Sequence, residues 1–376
     1  MKIVLAPDSF KGSLSSSEVT QVMERAIKDV DHSYTVVSKP MADGGEGTIE
    51  AMLTSRKGKI VNVQCTGPLG EPIKSSYIVF DSNEAVIELA EIAGLTLVPT
   101  SKRNPDYTTT YGLGEVILDA IDRGAKSIMI GLGGSATNDG GLGMLIALGM
   151  KARDKDGQPL SGYGLDLHHV HGICFEDLDK RLKDVDINVA CDVTNPLCGA
   201  RGASVVFGPQ KGATDQQVKQ YDQSLHQYAK IIEDNLGQSY QNIPGAGAAG
   251  GLGFALLMIG GQLESGAQQI GEAIHLEKEV QEADLVITGE GQSDEQTLYG
   301  KAPCYVASIA NKHRVPVVLL SGSLSGEQKS LNDLFTSCFS IVNRPLTLGE
   351  SMNEVETLLY EQTIQIIKLV GAFSKR

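Results

Sequence analysis

The chain has 376 residues, enough for two domains, and 41% of them are hydrophobic, so it can bury a sizeable core. Its formal net charge of −14 argues against nucleic acid or an anionic membrane as the main partner. No apolar run is long enough to span a bilayer, and the N-terminal apolar stretch is too short for a signal peptide. The six cysteines are dispersed without a CxxC pair, which favours a reducing cytoplasm.

The N-terminal segment predicts the start of a parallel sheet. Lys2–Ala6 and Thr35–Ser38 are short apolar strands, and a helix is predicted after each of them. This βαβα order is typical of parallel sheets. Both strands end in loops that carry acids, Asp8 after the first strand and Asp43 with Glu46 after the second.

The pattern changes near Lys59. Ile60–Gln64 and Ser76–Phe80 alternate in polarity on either side of a Gly-Pro turn, which predicts antiparallel strands and the start of a second domain. Ser127–Ile130 and Ile187–Ala190 are further strands, and each leads into a loop with polar residues.

From Ala283 the parallel pattern returns. Strands are predicted at Leu285–Thr288, Val317–Ser321 and Cys338–Val342, with helices between them. We therefore predict an α/β fold in which a discontinuous parallel-sheet domain carries a large inserted domain. The predicted bounds are 1–60 with 283–376 for the discontinuous domain and 61–282 for the inserted one.

Two glycine-rich stretches bear on ligand binding. Gly131–Ala136 matches GxGxxA after a strand, and Asp154 lies about twenty residues on, so an NAD-dependent oxidoreductase is one alternative. The polar stretch 137–141 stands where a dinucleotide fold needs an apolar helix, whereas a phosphate cradle needs only amides and small residues at a helix start. Gly245–Gly250 spells GxGxxG without a preceding strand, which leaves a hinge, a close helix contact or a ligand loop open.

Acids and cations recur just beyond the ends of predicted strands. One acid in a loop is usually a cap or turn former, but acids after several parallel strands converge on one edge of the sheet. Phosphoryl transfer to an alcohol needs a carboxylate near the hydroxyl, acids around Mg²⁺ and a cation on the phosphoryl group. The pattern therefore favours phosphoryl transfer to a small acceptor. The further strand-end acids are Asp192, Glu290 and Asp294, and the loop cations are Lys11, Arg201, Lys211 and Lys301.

Seven stretches, spread in order along nearly the whole chain, resemble motifs of the bacterial glycerate kinase family. They are APDSFKGSLSS (Ala6–Ser16), PMADGGEGT (Pro40–Thr48), GLGGSATNDGG (Gly131–Gly141), ACDVTNPLCGARGAS (Ala190–Ser204), FGPQKGA (Phe207–Ala213), PGAGAAGGLG (Pro244–Gly253) and TGEGQSDEQTLYGK (Thr288–Lys301). The resemblance implies a flavodoxin-like domain with a second, mixed α/β domain inserted. It also implies ATP-dependent phosphorylation of D-glycerate with Mg²⁺. The expected product is 2-phosphoglycerate, although a different type of glycerate kinase makes the 3-phosphate.

Within that reaction we assign hypothetical roles to the loop residues. Asp192 is the candidate for orienting or deprotonating the attacking hydroxyl, and Arg201 suits the substrate carboxylate because its planar fork matches two oxygens. The predicted catalytic residues are Asp192, Lys11 and Asp8, the substrate-binding residues Ser9, Asn195 and Arg201, the nucleotide-binding residues Gly133, Gly134, Ser135 and Lys301, and the metal ligands Glu290 and Asp294.

The expected partners are the small molecules D-glycerate and ATP, in the cytoplasm, with no nucleic acid or membrane partner. A homo-oligomer is left open. A non-enzymatic alternative is a sugar-acid-binding regulator, but the sequence has neither a basic patch nor a separate small helical domain for DNA. Which domain binds adenine also stays open.

Overall fold

The computed structural model describes residues 1–294, 297, 301–326 and 329–374. The strands are β1 (Lys2–Leu5), β2 (Thr35–Ser38), β3 (Gly58–Thr66), β4 (Pro72–Phe80), β5 (Glu84–Glu88), β6 (Ser127–Gly131), β7 (Lys151–Arg153), β8 (Gly172–Cys174), β9 (Asp186–Ala190), β10 (Gln262–Glu264), β11 (Leu285–Thr288), β12 (Gln292–Ser293), β13 (Val317–Ser321), β14 (Ser323–Leu324) and β15 (Ser337–Ser340). The α-helices are α1 (Ser16–Val30), α2 (Thr48–Ser55), α3 (Ala90–Ala93), α4 (Tyr111–Asp122), α5 (Leu142–Ala147), α6 (Ala203–Phe207), α7 (Asp215–Leu236), α8 (Ala248–Met258), α9 (Gly266–Ala273), α10 (Leu276–Gln281), α11 (Ala302–Lys312), α12 (Lys329–Leu334), α13 (Leu348–Asn353) and α14 (Val355–Ser374). Short 3₁₀ turns lie at Leu95–Leu97, Thr100–Lys102, Pro105–Tyr107, Gly164–His168, Lys180–Asp184 and Pro209–Lys211.

The contacts of the chain define two compact units. Unit 1 contains Met1–Asp43, Glu50–Arg56 and Ser265–Arg376, and unit 2 contains Gly44–Ile49 and Lys57–Glu264. These units group residues by their contacts and do not show which segments fold independently. The domain bounds predicted from the sequence therefore stay a prediction.

Unit 1 is built on a parallel sheet in the order β2-β1-β11-β13-β15. Its three central strands, β1, β11 and β13, are largely apolar and buried because both faces of the sheet are covered. Val4 packs into one core cluster, whereas its neighbours Ile3 and Leu5 pack into another. The strand order is that of flavodoxin-like folds, in which the direction of the chain switches between β1 and β11. Ligands of such folds bind outside the carboxyl ends of the strands at this switch point.

Unit 2 is built on a mixed sheet in the order β10-β9-β6-β5-β4-β3. The strands from β10 to β5 run parallel, and β5, β4 and β3 pair antiparallel. Side chains of the sheet such as Ile130 and Val189 share one core cluster with Leu113 of α4, Tyr228 of α7 and Phe254 of α8. The parallel part places the carboxyl ends of β5, β6 and β9 at one edge.

These two sheets confirm the predicted fold class, an α/β fold with a discontinuous flavodoxin-like parallel-sheet part and a mixed α/β part inserted in it. No helix of the described residues is long and apolar enough to cross a bilayer.

Candidate active site

A cavity of about 900 Å³ lies at the carboxyl edge of the sheet in unit 1. The loops after β1 and β11, which flank the switch point, supply its polar end. The predicted site residues of unit 1 all line this cavity, namely Asp8, Ser9, Lys11, Glu290, Asp294 and Lys301. The structure therefore brings together six residues that are up to 293 positions apart in the printed sequence.

The loops of this polar end are fixed to one another by their backbones. The N–H of Asp8 donates to the carbonyl of Gly289 at 2.8 Å, and the N–H of Gly322 donates to the carbonyl of Glu290 at 3.0 Å. A Cβ atom at position 289 would stand 1.8 Å from the carbonyl oxygen of Leu320, so only glycine allows this approach. The glycines that flank Glu290 thus serve close backbone packing as the strands end.

Glu290 is buried, with 7% of its surface exposed. Its Oε1 accepts hydrogen bonds from the hydroxyls of Ser293 at 3.0 Å and Thr297 at 2.6 Å. Its Oε2 lies 3.6 Å from the Nζ of Lys301. Two hydroxyls therefore hold the carboxylate in place while its other oxygen faces the cation and the cavity.

Asp8 is the most perturbed acid of this cavity. It is 4% exposed, and the N–H of Ser9 donates to its Oδ1 at 2.6 Å. Burial raises the pKa of Asp8 to about 7, and the nearby charge of Asp43 adds to the effect. Lys11 reaches out with its ammonium 2.9 Å from Asp43, and its side chain is 65% exposed. Near neutral pH Asp8 can therefore either hold or accept a proton, as a general base does.

In unit 2 the loop after β6 packs against a second glycine-rich loop. The N–H of Gly133 donates to the carbonyl of Gly44 at 3.3 Å, and a Cβ at 133 would stand 2.4 Å from the Cα of Gly45. No sequence pattern indicated that these two stretches meet. Their contact fixes the backbone of the predicted phosphate cradle at Gly133, Gly134 and Ser135.

A buried lysine braces the same loop. Lys211 is 2% exposed, and its ammonium donates to the Oγ of Ser135 at 2.9 Å and to the carbonyl oxygen of Thr137 at 2.6 Å. Burial lowers the pKa of Lys211 to about 7, against the opposing effect of the Asp139 carboxylate. Asp139 is itself enclosed and accepts hydrogen bonds from Thr110. Residues 135–139 are thus held in place by buried hydrogen bonds that involve Lys211 and Asp139.

The polar stretch 137–141, which follows the first glycine motif, lies against the second one, Gly245–Gly250. The N–H of Gly140 donates to the carbonyl of Gly250 at 2.9 Å. Gly250 has a positive φ of 71°, and a Cβ there would stand 2.1 Å from the carbonyl oxygen of Thr137. Of the alternatives for Gly245–Gly250, the structure shows the close contact.

The geometry after β6 does not match a dinucleotide fingerprint. The helix that should begin within the motif, α5, starts only at Leu142. The carboxylate of Asp154 accepts hydrogen bonds from the N–H groups of Asp156 and Gln158 in its own turn. It is therefore engaged in shaping that turn, and the NAD alternative loses its structural support.

Asp192, Asn195 and Arg201 follow β9, the neighbour of β6. Gly131 pairs with Ala190, so Gly133 and Asp192 each follow the paired positions by two residues. The side-chain amide of Asn195 donates to the carbonyl oxygen of Arg201 at 2.8 Å, and the Arg201 side chain is exposed. The hydrogen bond of Asn195 therefore stabilises the turn between these residues. The predicted binding of the substrate carboxylate by Asn195 and Arg201 stays a prediction.

The sequence did not indicate Glu88 as a site residue. Glu88 ends β5 and is 4% exposed, and its Oε1 accepts a hydrogen bond from the N–H of Ile49 at 2.5 Å. Burial raises its pKa to about 7. It fixes the start of α2 and thereby the Gly44–Gly47 loop. The available signal was an acid at the end of an apolar strand, the same signal that pointed to Asp8.

Lys211→Met should change how stability depends on pH. The folded-state pKa of about 7 lies below the usual 10.5, so between these values the unfolded chain binds a proton that the folded chain does not. The free energy of unfolding of the wild type should therefore rise with pH from about 7 to 10, by at most about 1.4 kcal/mol per pH unit from this group. The variant should lack that slope, because no titrating amine remains, while the loss of the two hydrogen bonds to Ser135 and Thr137 lowers its overall stability.

Chemical denaturation of both proteins at pH 7, 8, 9 and 10 measures this difference. Lys219→Met is the matched control, because Lys219 is exposed on α7 and its replacement should leave the slope unchanged. Parallel pH profiles for the wild type and Lys211→Met would contradict the burial of a titrating amine.

An α/β sheet that delivers acids and two lysines to one cavity, in a chain that also holds a glycine-rich loop in one shape, is typical of enzymes that handle phosphate groups. The model of the glycerate kinase family matches residues 3–371, and the chain belongs to that family. This confirms the family assignment and the prediction of a kinase.

The relatives match over nearly their full length. Glycerate 2-kinase of Escherichia coli K12 is 48% identical over 354 residues, which covers 93% of each chain. A glycerate kinase of Halalkalibacterium halodurans is 42% identical over 376 residues, covering 99% of each. A crystal structure from Salmonella typhimurium LT2, assigned as a candidate glycerate kinase 2, superposes with a TM-score of 0.88 at 42% identity and covers 100% of both chains.

Proposed function

We propose that this protein transfers the γ-phosphoryl group of ATP to the 2-hydroxyl of D-glycerate and releases 2-phosphoglycerate and ADP. The observation that carries the proposal is the 48% identity, over 93% of both chains, to a protein named glycerate 2-kinase. The acids and lysines in the cavity of unit 1 support it, because phosphoryl transfer depends on positioning and on charge stabilisation.

The site residues of unit 1 have two proposed roles. The lysines bind phosphate groups, and the acid Asp8 handles the proton of the acceptor hydroxyl. The Nζ of Lys301 forms an ion pair with the Oε2 of Glu290 at 3.6 Å, and both residues line the cavity. Lys11 is exposed enough to meet a second anionic group. Asp8, with a pKa near 7, orients the acceptor hydroxyl or takes its proton, and Ser9 contributes to the acceptor side.

A kinase of this family uses ATP, usually with a divalent metal, and the donor set fits Mg²⁺. The described residues contain no cluster of three or more His, Cys, Asp or Glu side chains suited to a metal. Mg²⁺ needs no such cluster, since it takes one or two carboxylates and completes its shell with phosphate and water. Glu290 and Asp294 would hold it, through oxygen atoms that line the cavity. When bound, the metal neutralises charge on the phosphate oxygens.

In unit 2 the amides of Gly133 and Gly134 and the hydroxyl of Ser135 are the proposed anion cradle. Their support is the backbone contact with Gly44 and Gly45 and the bond from Lys211 to Ser135, which hold the loop in one shape. Such prior fixing matters, because an ordered loop does not lose conformational entropy when the anion binds. Asp192 is the proposed second carboxylate for the attacking hydroxyl, and Asn195 with Arg201 the proposed partners of the substrate carboxylate.

The product decides the proposal. The purified protein should be incubated with D-glycerate, ATP and Mg²⁺, and the product identified by ³¹P and ¹³C NMR. A phosphorus resonance split into a doublet by the single proton on C2 is expected. A triplet from the two protons on C3 would show 3-phosphoglycerate and overturn the proposed position, whereas the absence of both products would overturn the proposed acceptor. Glycerate with NAD⁺ in place of ATP is the control for the oxidoreductase alternative, and no NADH is expected.

A further inference from the structure

The cavity of unit 1 has a second end that the proposed roles leave unused. Beyond the acids and lysines it is lined by apolar side chains from the segment after β15 and from α13 and the start of α14. These are Ile341, Val342, Leu346, Leu348, Met352 and Val355. We call these six residues the apolar wall. Ile341 and Val355 belong to the core cluster that also contains Ile3 and Leu5, so the apolar wall is a part of that core that reaches the cavity surface.

Leu348 is the unusual member of this apolar wall. It begins α13, is 77% exposed, and yet lines the cavity. Its helix is fixed by a capping box in which Thr347 and Glu350 bond each other's backbone N–H groups. Because Leu348 lines the cavity beside other apolar side chains, a ligand bound there would remove its apolar surface from water.

The wall is continuous with the polar end of the cavity. Gly12, which directly follows Lys11, has a positive φ of 82°, and a Cβ there would stand 3.1 Å from the terminal methyl of Met352. Ser323 and Ser340 line the cavity together with the wall. One molecule with an anionic part, a hydroxyl-bearing part and an apolar flat part can therefore extend from the apolar wall to the lysines of the polar end.

Among the partners of the proposed reaction only one has that composition. Glycerate carries an oxygen on every carbon and has no surface that an apolar wall would bind. The base of a nucleoside triphosphate is flat and largely apolar on its faces, its ribose carries hydroxyls, and its phosphates suit Lys11 and Lys301. Pockets for such ligands typically measure about 300–1,000 Å³, which includes this one.

We propose that the apolar wall of unit 1, centred on Leu348 and Met352, is the binding site for the nucleotide base of the phosphoryl donor. The inference rests on the proposed kinase function and assigns to unit 1 the base site that the sequence left open. The base packs against Leu348 and Met352, the ribose lies over Ser323 and Ser340, and the phosphates point to Lys11 and Lys301.

Leu348→Asn and Met352→Gln test this site, because each replaces an apolar side chain with a polar one of similar size. Each should raise KM for ATP about tenfold through the loss of one apolar contact, with KM for glycerate and kcat within about twofold of the wild type. Leu369→Asn is the matched control, since Leu369 is 54% exposed on α14 outside this cavity, and all three constants should be unchanged. Leu348 is exposed, so its variant tests the site even if Met352→Gln folds poorly.

A binding experiment without glycerate separates this inference from the proposed function. ADP binding to wild type and variants is measured by calorimetry, and inorganic triphosphate is used as a donor analogue that lacks the nucleoside. Both variants should bind ADP about tenfold more weakly and triphosphate as the wild type does.

Three results would overturn the base site. They are unchanged ADP affinity in both variants, an equal loss for triphosphate, and a rise of KM for glycerate alone. If the wild type binds ADP through this wall but forms no phosphoglycerate, the base site stands and the proposed acceptor falls. If phosphoglycerate forms while the variants behave as wild type, the function stands and the base site falls.

Discussion

Asp8→Asn is expected to lower kcat by about 10²- to 10³-fold, the effect of removing a general base or an orienting carboxylate. The amide keeps the shape and can still accept a hydrogen bond from the N–H of Ser9, but it cannot take a proton. In the wild type the ionised form of Asp8 increases as the pH rises through about 7, so kcat/KM should rise across the same range. In the variant, kcat/KM should no longer rise with pH across this range.

The same substitution should stabilise the free protein at alkaline pH. The pKa of Asp8 is about 7 in the folded chain and near 3.8 when unfolded, so between these values the folded chain binds the extra proton. Its contribution to stability therefore falls as the pH rises through this window, and at pH 8 a buried charge remains as a cost. We expect the thermal midpoint of Asp8→Asn at pH 8 to equal or exceed that of the wild type.

Asp284→Asn is the control for this pair of effects. Asp284 is exposed just before β11, at the amino end of the sheet and away from the cavity, and its replacement should leave kcat and its pH profile unchanged. A variant of Asp8 with normal turnover, or one whose activity is lost only because it unfolds, would remove Asp8 from the catalytic residues.

Asp192→Asn is expected to lower kcat by about 10²-fold with a smaller change in KM for ATP. Asp192 follows β9, which is held between β6 and β10, and the N–H of Cys191 donates to the carbonyl of Glu264 at 2.9 Å. The backbone that carries the carboxylate is therefore fixed, and the amide should occupy the same place. The loss would then report the charge of Asp192 and not a displaced loop.

Steady-state kinetics with both substrates measure this effect. Asp186→Asn is the matched control, since Asp186 is exposed at the other end of the same strand and should keep wild-type kinetics. Near-normal turnover of Asp192→Asn would exclude the proposed role on the attacking hydroxyl. A rise in KM for glycerate at unchanged kcat would reassign Asp192 to substrate binding.

The sheet of unit 1 was predictable because its strands are short, buried and nearly all apolar. Lys2–Ala6 and Leu285–Thr288 were predicted with ends within one residue of β1 and β11. The acids after them were predicted as one cluster for a topological reason, since carboxyl ends of parallel strands share an edge. Asp8 and Glu290 do line one cavity, whereas their roles in the reaction stay predictions.

The contacts that hold the loop after β6 in place were not predictable from the sequence. Lys211 was one of several loop cations, and nothing in its neighbours shows that it is 2% exposed beneath Ser135, 76 positions away. The approach of Gly250 to Thr137 likewise depends on packing between distant segments. Local patterns report periodicity and turns, whereas these contacts are decided by tertiary structure.

The apolar wall also could not be predicted from the sequence. Leu346, Leu348 and Met352 look like ordinary residues of a short amphipathic segment. Only the cavity beside them distinguishes a ligand-facing side chain from one that packs into the core. The sequence could therefore predict a phosphate-handling end of the site without its hydrophobic end.

The position of β1 between β2 and β11 in the sheet of unit 1 has a consequence for folding during synthesis. β1 pairs with β11, and the hydroxyl of Thr288 donates to the carbonyl of Ala6, 282 positions earlier. When β1 and β2 leave the ribosome, the strand that completes their sheet has not yet been translated. The first segment must therefore wait, exposed or chaperoned, until the C-terminal strands of its sheet have been made. Premature termination after residue 264 would therefore leave β1 and β2 without the three strands that complete their sheet.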